Sequence, residues 1–216
     1  MISPKGLFDK KFIFAILGES FLITRFIVDP PYVYIEKEPF LDMVLASIET
    51  FRRECLGLLF GKTPSRTRNY FHITNVVNIQ LARKRKNKEI EQSKISEEKI
   101  REMCSQYPRL YPLIGDFHSH PEWGRYRGEA TMSDTDLEDM RKRRKELKVC
   151  LVIKISLINK ERVVWEPVSN GGIKGSLAKY KFHINAVRLS SDDEEEILEI
   201  RAPSALKDLN KAIGYR

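Results

Sequence analysis

The sequence predicts a mixed α/β fold, a β-sheet with helices packed on its faces. Two observations point there. Short β-branched or aromatic runs alternate with stretches whose apolar residues recur at helical spacing. Some runs follow one another as hairpin partners, whereas others are separated by a helix long enough to cross back over the sheet. The length agrees: 216 residues, 42% apolar and 31% charged, suffice for one sizeable core with extensions.

Residues 1–31 form a β-prone extension that stops at Asp29-Pro30-Pro31. Its apolar run Phe12–Val28 follows Lys10 and Lys11 in the manner of a signal sequence. Glu19 and Arg25 interrupt it, no small-residue cleavage site follows, and it is short for a spanning helix. Two buried strands meeting near Gly18 explain it better. Tyr32–Ile35 alternates as a strand. Pro39 fits the first turn of a helix, where its missing N–H is not needed. Phe40, Val44, Leu45, Ile48 and Phe51 line the apolar side of that helix to about Arg53. Glu54–Gly61 is a buried strand that opens with a carboxylate, and Tyr70–Ala82 is a second, longer one.

The polar segment 83–94 reads as a loop or a solvated helical turn. Ser96 caps a helix to Tyr107, with Glu97 and Glu98 favouring its dipole, and Pro108 and Pro112 mark the exit. Leu113–His118 is a strand. Ser133 caps a helix reaching Leu147, with Asp134 and Asp136 in its first turn. Val149–Ile158 is a strongly apolar strand that turns at Asn159-Lys160 into Arg162–Glu166. Asn170-Gly171-Gly172 is a loop and Tyr180–Leu189 another strand. Asp192–Glu196 is an exposed helix start or loop, and a short helix over Ala205–Ile213 finishes the chain.

The net charge of +8 permits an acidic partner. Its two basic runs, Arg83–Lys88 and Arg141–Lys148, lack the interleaved aromatics of single-strand binders and read as solvated helix faces, which disfavours nucleic acid. Cys55, Cys104 and Cys150 are odd in number, far apart and form no Cys-x-x-Cys pair. They imply a reducing, cytoplasmic setting and buried thiols, and no membrane partner is expected.

Chemistry concentrates in one stretch. Asp116-Phe117-His118-Ser119-His120-Pro121 is followed, after eleven intervening residues, by Ser133-Asp134-Thr135-Asp136. Histidines two positions apart on a strand project from the same face. Two imidazoles and a carboxylate form a common ligand set for a catalytic zinc, with the fourth position left to water. Such a site needs a base held near the metal and a donor for the developing oxyanion, a task that suits Ser133.

The order Glu54, then His118-x-His120-Pro121, then Ser133-x-x-Asp136 resembles the JAMM (MPN+) zinc metalloprotease family, of prokaryotic type. Gly57-Leu58-Leu59-Phe60-Gly61 behind Glu54 adds to the likeness, which covers about residues 32–166. The resemblance implies a cytidine-deaminase-like fold, a curved mixed sheet flanked by helices. It implies that His118, His120 and Asp136 hold one Zn2+ per chain, that Glu54 is the general acid/base, and that Ser133 assists the tetrahedral intermediate. The implied reaction is hydrolysis of an (iso)peptide bond at the C-terminus of a ubiquitin-like or sulfur-carrier protein. The chain then divides into an N-terminal extension (1–31), a catalytic core (32–166) and a C-terminal extension packing on that core (167–216). The extensions offer a dimer or partner surface.

Two other readings compete. Asp116-x-His118-x-His120 also opens the motifs of metal-dependent phosphoesterases and amidohydrolases, but those need several later histidines and only His183 follows. A non-catalytic or partner-activated MPN scaffold, DNA-associated in one variant, is the main alternative, and the intact ligand set argues against it. The spacer 122–132 is longer than in familiar family members. Loops absorb length cheaply, so it reads as a surface insertion. The sharper reading is a flap whose Trp123 and Tyr126 grip an extended peptide.

Overall fold

The alternating segments condense into β1 (Tyr32–Ile35), α1 (Lys37–Glu49), β2 (Leu56–Lys62), β3 (Tyr70–Asn78), β4 (Ala82–Arg85), β5 (Ile90–Gln92) and α2 (Lys94–Gln106). The site-bearing elements follow: β6 (Leu113–Glu122), α3 (Asp134–Lys142) and β7 (Val149–Leu157). The chain then runs through β8 (Glu166–Pro167), β9 (Ile173–Leu177), β10 (Tyr180–Leu189), β11 (Glu195–Arg201) and α4 (Pro203–Ala212). This computed structural model describes residues 30–79, 82–85, 90–92, 94–108, 112–158 and 162–214. The expected strands within 1–29, the turn at Asn159-Lys160 and part of the run Arg83–Lys88 lie outside the described residues.

Nine strands form one mixed sheet in the order β11-β1-β3-β2-β6-β7-β10-β9-β8. Its curvature is extreme. The first half of β11 pairs antiparallel with β10 and its last residues pair parallel with β1, so the sheet closes on itself. The concave side is filled by Phe40, Met43 and Val44 of α1 and Ala205 and Leu209 of α4 against strand residues such as Phe117, Leu151, Ile153 and Phe182. Trp165 sits among them, edge-on to Phe40 and stacked on Phe182, and its indole N–H donates to the Ser176 carbonyl at 2.8 Å. A Cβ at Gly175 would run into the Trp165 ring, so only glycine lets that strand pass beneath it.

The other face carries two smaller clusters, one where α2 places Cys104 on Leu56, Leu58 and Phe60, the other where Met140 and Leu147 pack on Cys150, Val152 and Val187. Side chains alternate across the sheet, so β6 sends Phe117 to the large core and Asp116, His118, His120 and Glu122 to this second face. The strands β6 and β7 are parallel and α3 crosses between them. The site therefore lies at the carboxyl end of β6, next to the start of the crossover helix.

Several boundaries differ from the sequence expectations. Residues 82–85 and 90–92 pair as a hairpin rather than a loop or helical turn. The helix α2 begins at Lys94, so Ser96 lies inside it and does not cap it. The strand β6 runs past His118 through Pro121 to Glu122, because its parallel pairing with β7 continues to Ser156. The helix α3 stops at Lys142, short of Leu147. The acidic run leads into β11: Ser190 Oγ accepts from the N–H groups of Asp192 and Glu194, which turns the chain, and Leu198 and Ile200 then alternate into the core. The strand β9 was not foreseen. No helix among the described residues is long and apolar enough to cross a membrane.

Candidate metal centre

Three donor atoms converge at the end of β6. His118 Nε2 lies 3.5 Å and His120 Nε2 3.6 Å from Asp136 Oδ2. A tetrahedral zinc site with metal–donor bonds of about 2.05 Å has donors about 3.4 Å apart. The observed spacing fits that edge. His118 Nε2 is buried and makes no hydrogen bond among the described residues, a costly state for an imidazole nitrogen unless a further ligand takes its lone pair.

The protein fixes which nitrogens face the centre. His120 Nδ1 is 2.9 Å from the Glu129 carbonyl, which can only accept, so Nδ1 carries the hydrogen and Nε2 the lone pair. His118 Nδ1 lies 3.6 Å from Cys150 Sγ, on the side away from Asp136. The Asp136 carboxylate is set by a capping box: its Oδ2 accepts from the Ser133 backbone N–H at 2.9 Å and from the Ser133 hydroxyl at 2.6 Å, while Ser133 Oγ accepts from the Asp136 N–H at 3.3 Å.

Charge follows from this geometry. Burial opposes the ionised Asp136, but the two imidazoles and Ser133 outweigh it and hold the carboxyl far below the usual range. Burial likewise opposes a charged His118, and Asp136, Asp116 and Glu54 overcome it, so its pKa lies above the ordinary histidine value. The site is thus strongly negative apart from its histidines, which suits a divalent cation.

Glu54 lies in the extended segment before β2. Cys55 N–H donates to Ser119 Oγ at 2.8 Å, and Ser119 N–H to the Cys55 carbonyl at 3.0 Å. These bonds seat the segment on the strand between the two histidines. Glu54 shares parity with Leu56 and Leu58, which face away from the main core, so its carboxylate falls on the histidine side. It borders both depressions at the centre: a cleft of about 820 Å³ shared with His120, Ser133 and Asp136, and an inner cavity of about 340 Å³ shared with His118, Asp116 and Cys150. A Cβ at Gly57 would collide with the Phe117 ring, so this glycine sets how closely β2 approaches β6. All five expected residues, Glu54, His118, His120, Ser133 and Asp136, are therefore gathered around one point.

The spacer 122–132 is tied down at its far end. Gly128 packs against the backbone of His120, Glu129 receives the His120 hydrogen bond, and the Ala130 carbonyl accepts from the buried Asn185 at 2.7 Å. Residues 125–132 wall the larger cleft. Sequence reasoning missed Asn185, the role of the Glu129 carbonyl, and Asp116 and Cys150 behind His118. Asp116 stood in the motif itself, but the parallel register that sets Cys150 opposite it has no local signal.

The solution structure of a Desulfitobacterium hafniense protein is similar at 16% identity and a TM-score of 0.48, over 79% of this chain and 92% of that one. No curated protein matches. The JAB1/Mov34/MPN/PAD-1 ubiquitin protease family matches residues 31–140, just over half of the sequence. That span takes in Glu54, both histidines of β6 and the Ser133–Asp136 capping box, and the chain belongs to this family.

Proposed function

We propose that the protein is a zinc-dependent isopeptidase or peptidase acting at the C-terminus of a ubiquitin-like or sulfur-carrier protein. The observation that carries this reading is the convergence of three donors, with both imidazole nitrogens at tetrahedral-edge distance from Asp136 Oδ2 and Glu54 in the same cleft. His118, His120 and Asp136 would hold the ion, which supplies Lewis acidity for the carbonyl and an acidified water as nucleophile.

The chain's own residues do the rest. Glu54 takes the proton from the attacking water and passes it to the departing amine, so a C–N bond is exchanged for a C–O bond with no net proton change. Ser133 spends its hydroxyl proton on Asp136 Oδ2 in this structure. With Asp136 holding the ion, the hydroxyl would be free to donate to the substrate oxygen. The cleft of about 820 Å³ bordered by Arg125–Glu129 also borders Glu54, which gives an extended tail a place beside it.

The test is cleavage of ubiquitin-like conjugates by the zinc-loaded chain. Cleavage that disappears in Glu54→Gln, with zinc content unchanged, supports the reading. Full zinc occupancy without cleavage of any conjugate, with or without added partner proteins, sinks it and favours a non-catalytic scaffold.

A further inference from the structure

The face that bears the metal centre continues outward as a basic row. In the sheet register His120 stands opposite Lys154, Lys154 opposite His183, and His183 opposite Lys174. One line of side chains thus crosses β6, β7, β10 and β9, starting from a metal ligand. At about 4.8 Å per strand, His183 lies about 10 Å and Lys174 about 14 Å from His120. One step further along the strands, Glu122, Ser156 and Lys181 make a second row.

Residues of both rows floor a cleft of about 720 Å³, walled by Trp123 and Arg127 from the loop after β6. Arg127 also borders the cleft over the metal centre, so one residue flanks both depressions. The Trp123 wall is held in place: the Arg52 guanidinium lies 5.3 Å over its ring, from a backbone with φ of 82°.

The cleft offers donors in excess of acceptors. Trp123 Nε1 and His183 Nε2 are buried and unbonded among the described residues. The indole nitrogen can only donate. Lys154 is paired with Glu122 at 2.8 Å and Lys174 with Glu166 at 3.1 Å. Lys181 is exposed and has no carboxylate of its own among the described residues.

We infer that this groove binds an acidic segment of the polypeptide substrate, with carboxylates on Lys181 and Trp123 Nε1. The inference rests on the peptidase reading above. An extended chain advances about 3.3 Å per residue, so side chains one or two positions from a scissile bond reach Lys154 and those about three positions away reach His183. Glu122 and Glu166 stand within the rows. They repel a continuous phosphate backbone, whereas a peptide with spaced carboxylates passes them, which favours a peptide over a nucleic acid.

The test uses the full chain and three labelled probes without a scissile conjugate: an eight-residue peptide alternating Glu and Ser, its Gln counterpart, and a single-stranded octanucleotide. Fluorescence anisotropy should show salt-sensitive binding of the acidic peptide, with the Gln peptide about tenfold weaker. Lys181→Glu should cost about tenfold and Trp123→Phe, which keeps the ring but removes the N–H, about threefold. If Lys181→Glu does not fold by circular dichroism, Lys181→Gln replaces it with an expected loss of about threefold. Chelation of the metal should leave peptide binding unchanged. Equal binding of the Glu and Gln peptides, or tighter binding of the octanucleotide, overturns the inference. Conjugate cleavage is read in parallel. Its absence alongside selective peptide binding removes the peptidase reading and keeps the groove, and its presence without selective binding does the reverse.

Discussion

On its Nε2 side His118 faces His120 and Asp136, and on its Nδ1 side it faces Asp116 and Cys150. Both sets bring three donors of ligand type within 4.8 Å of one another, yet they are not equivalent. The outer set presents an unbonded imidazole nitrogen, a second nitrogen whose tautomer is fixed by Glu129, and a carboxylate held ionised. In the inner set, burial pushes the Cys150 thiol well above its ordinary value and Asp116 adds to the effect, so in the metal-free chain the sulfur keeps its proton. Residue types alone do not make a metal site. Availability of lone pairs does, and the inner set is better suited to orienting His118 than to ligating.

The sharpest challenge to that contrast is Asp136→Ala. It should abolish zinc retention after dialysis, and with it all turnover. A variant that kept its metal would move the ion to the inner set. Glu54→Gln should retain zinc and lower turnover about 10²–10⁴-fold, as expected for loss of a general base. Cys150→Ala should weaken zinc affinity about 10–100-fold, read by competition with a chelator, which is the usual effect of removing a group behind a ligand. Complete loss of metal there would make the thiol a ligand after all. Ser133→Ala removes a helix cap and should lower stability by about 1 kcal/mol in denaturant unfolding, with a larger loss in turnover.

The smallest effect is on pH dependence. In the metal-free chain the raised pKa of His118 contributes stability below the ordinary histidine value, about 6.5, and that contribution is lost as pH rises through the folded value. The lowered pKa of Asp136 contributes above the ordinary aspartate value, about 3.9, and is lost as pH falls through the folded one. Their joint contribution is therefore fully present between about pH 4 and 6.5. Thermal midpoints should show that window in the metal-free wild type and not in Asp136→Asn. Zinc affinity should rise with pH, because binding must displace the His118 proton.

Much of this centre was legible from the chain. His118 and His120 could be placed on one face because strand periodicity is local, and the Ser133–Asp136 spacing announced a helix start because capping is local too. The strand Tyr180–Leu189 was bounded as observed, since the turn at Ala178-Lys179 and the polar segment Ser190–Asp193 flank a β-prone run. Failures fell where pairing overrides local preference. Residues 82–85 and 90–92 are mostly polar or charged but pair as a hairpin, and the end of the acidic run becomes the start of β11, whose alternate residues Leu198 and Ile200 meet the core.

The sequence by itself determined the donor types, their spacing and the faces from which they project, since these depend on periodicity and capping within a few residues. Only the tertiary structure decided that Glu54 comes to the same point, through the Cys55–Ser119 hydrogen bonds between segments 64 residues apart. It also decided that Cys150 backs His118 and that β11 closes the sheet. Those outcomes depend on strand order and parallel register, which are set by how the whole core packs rather than by any stretch of neighbouring residues.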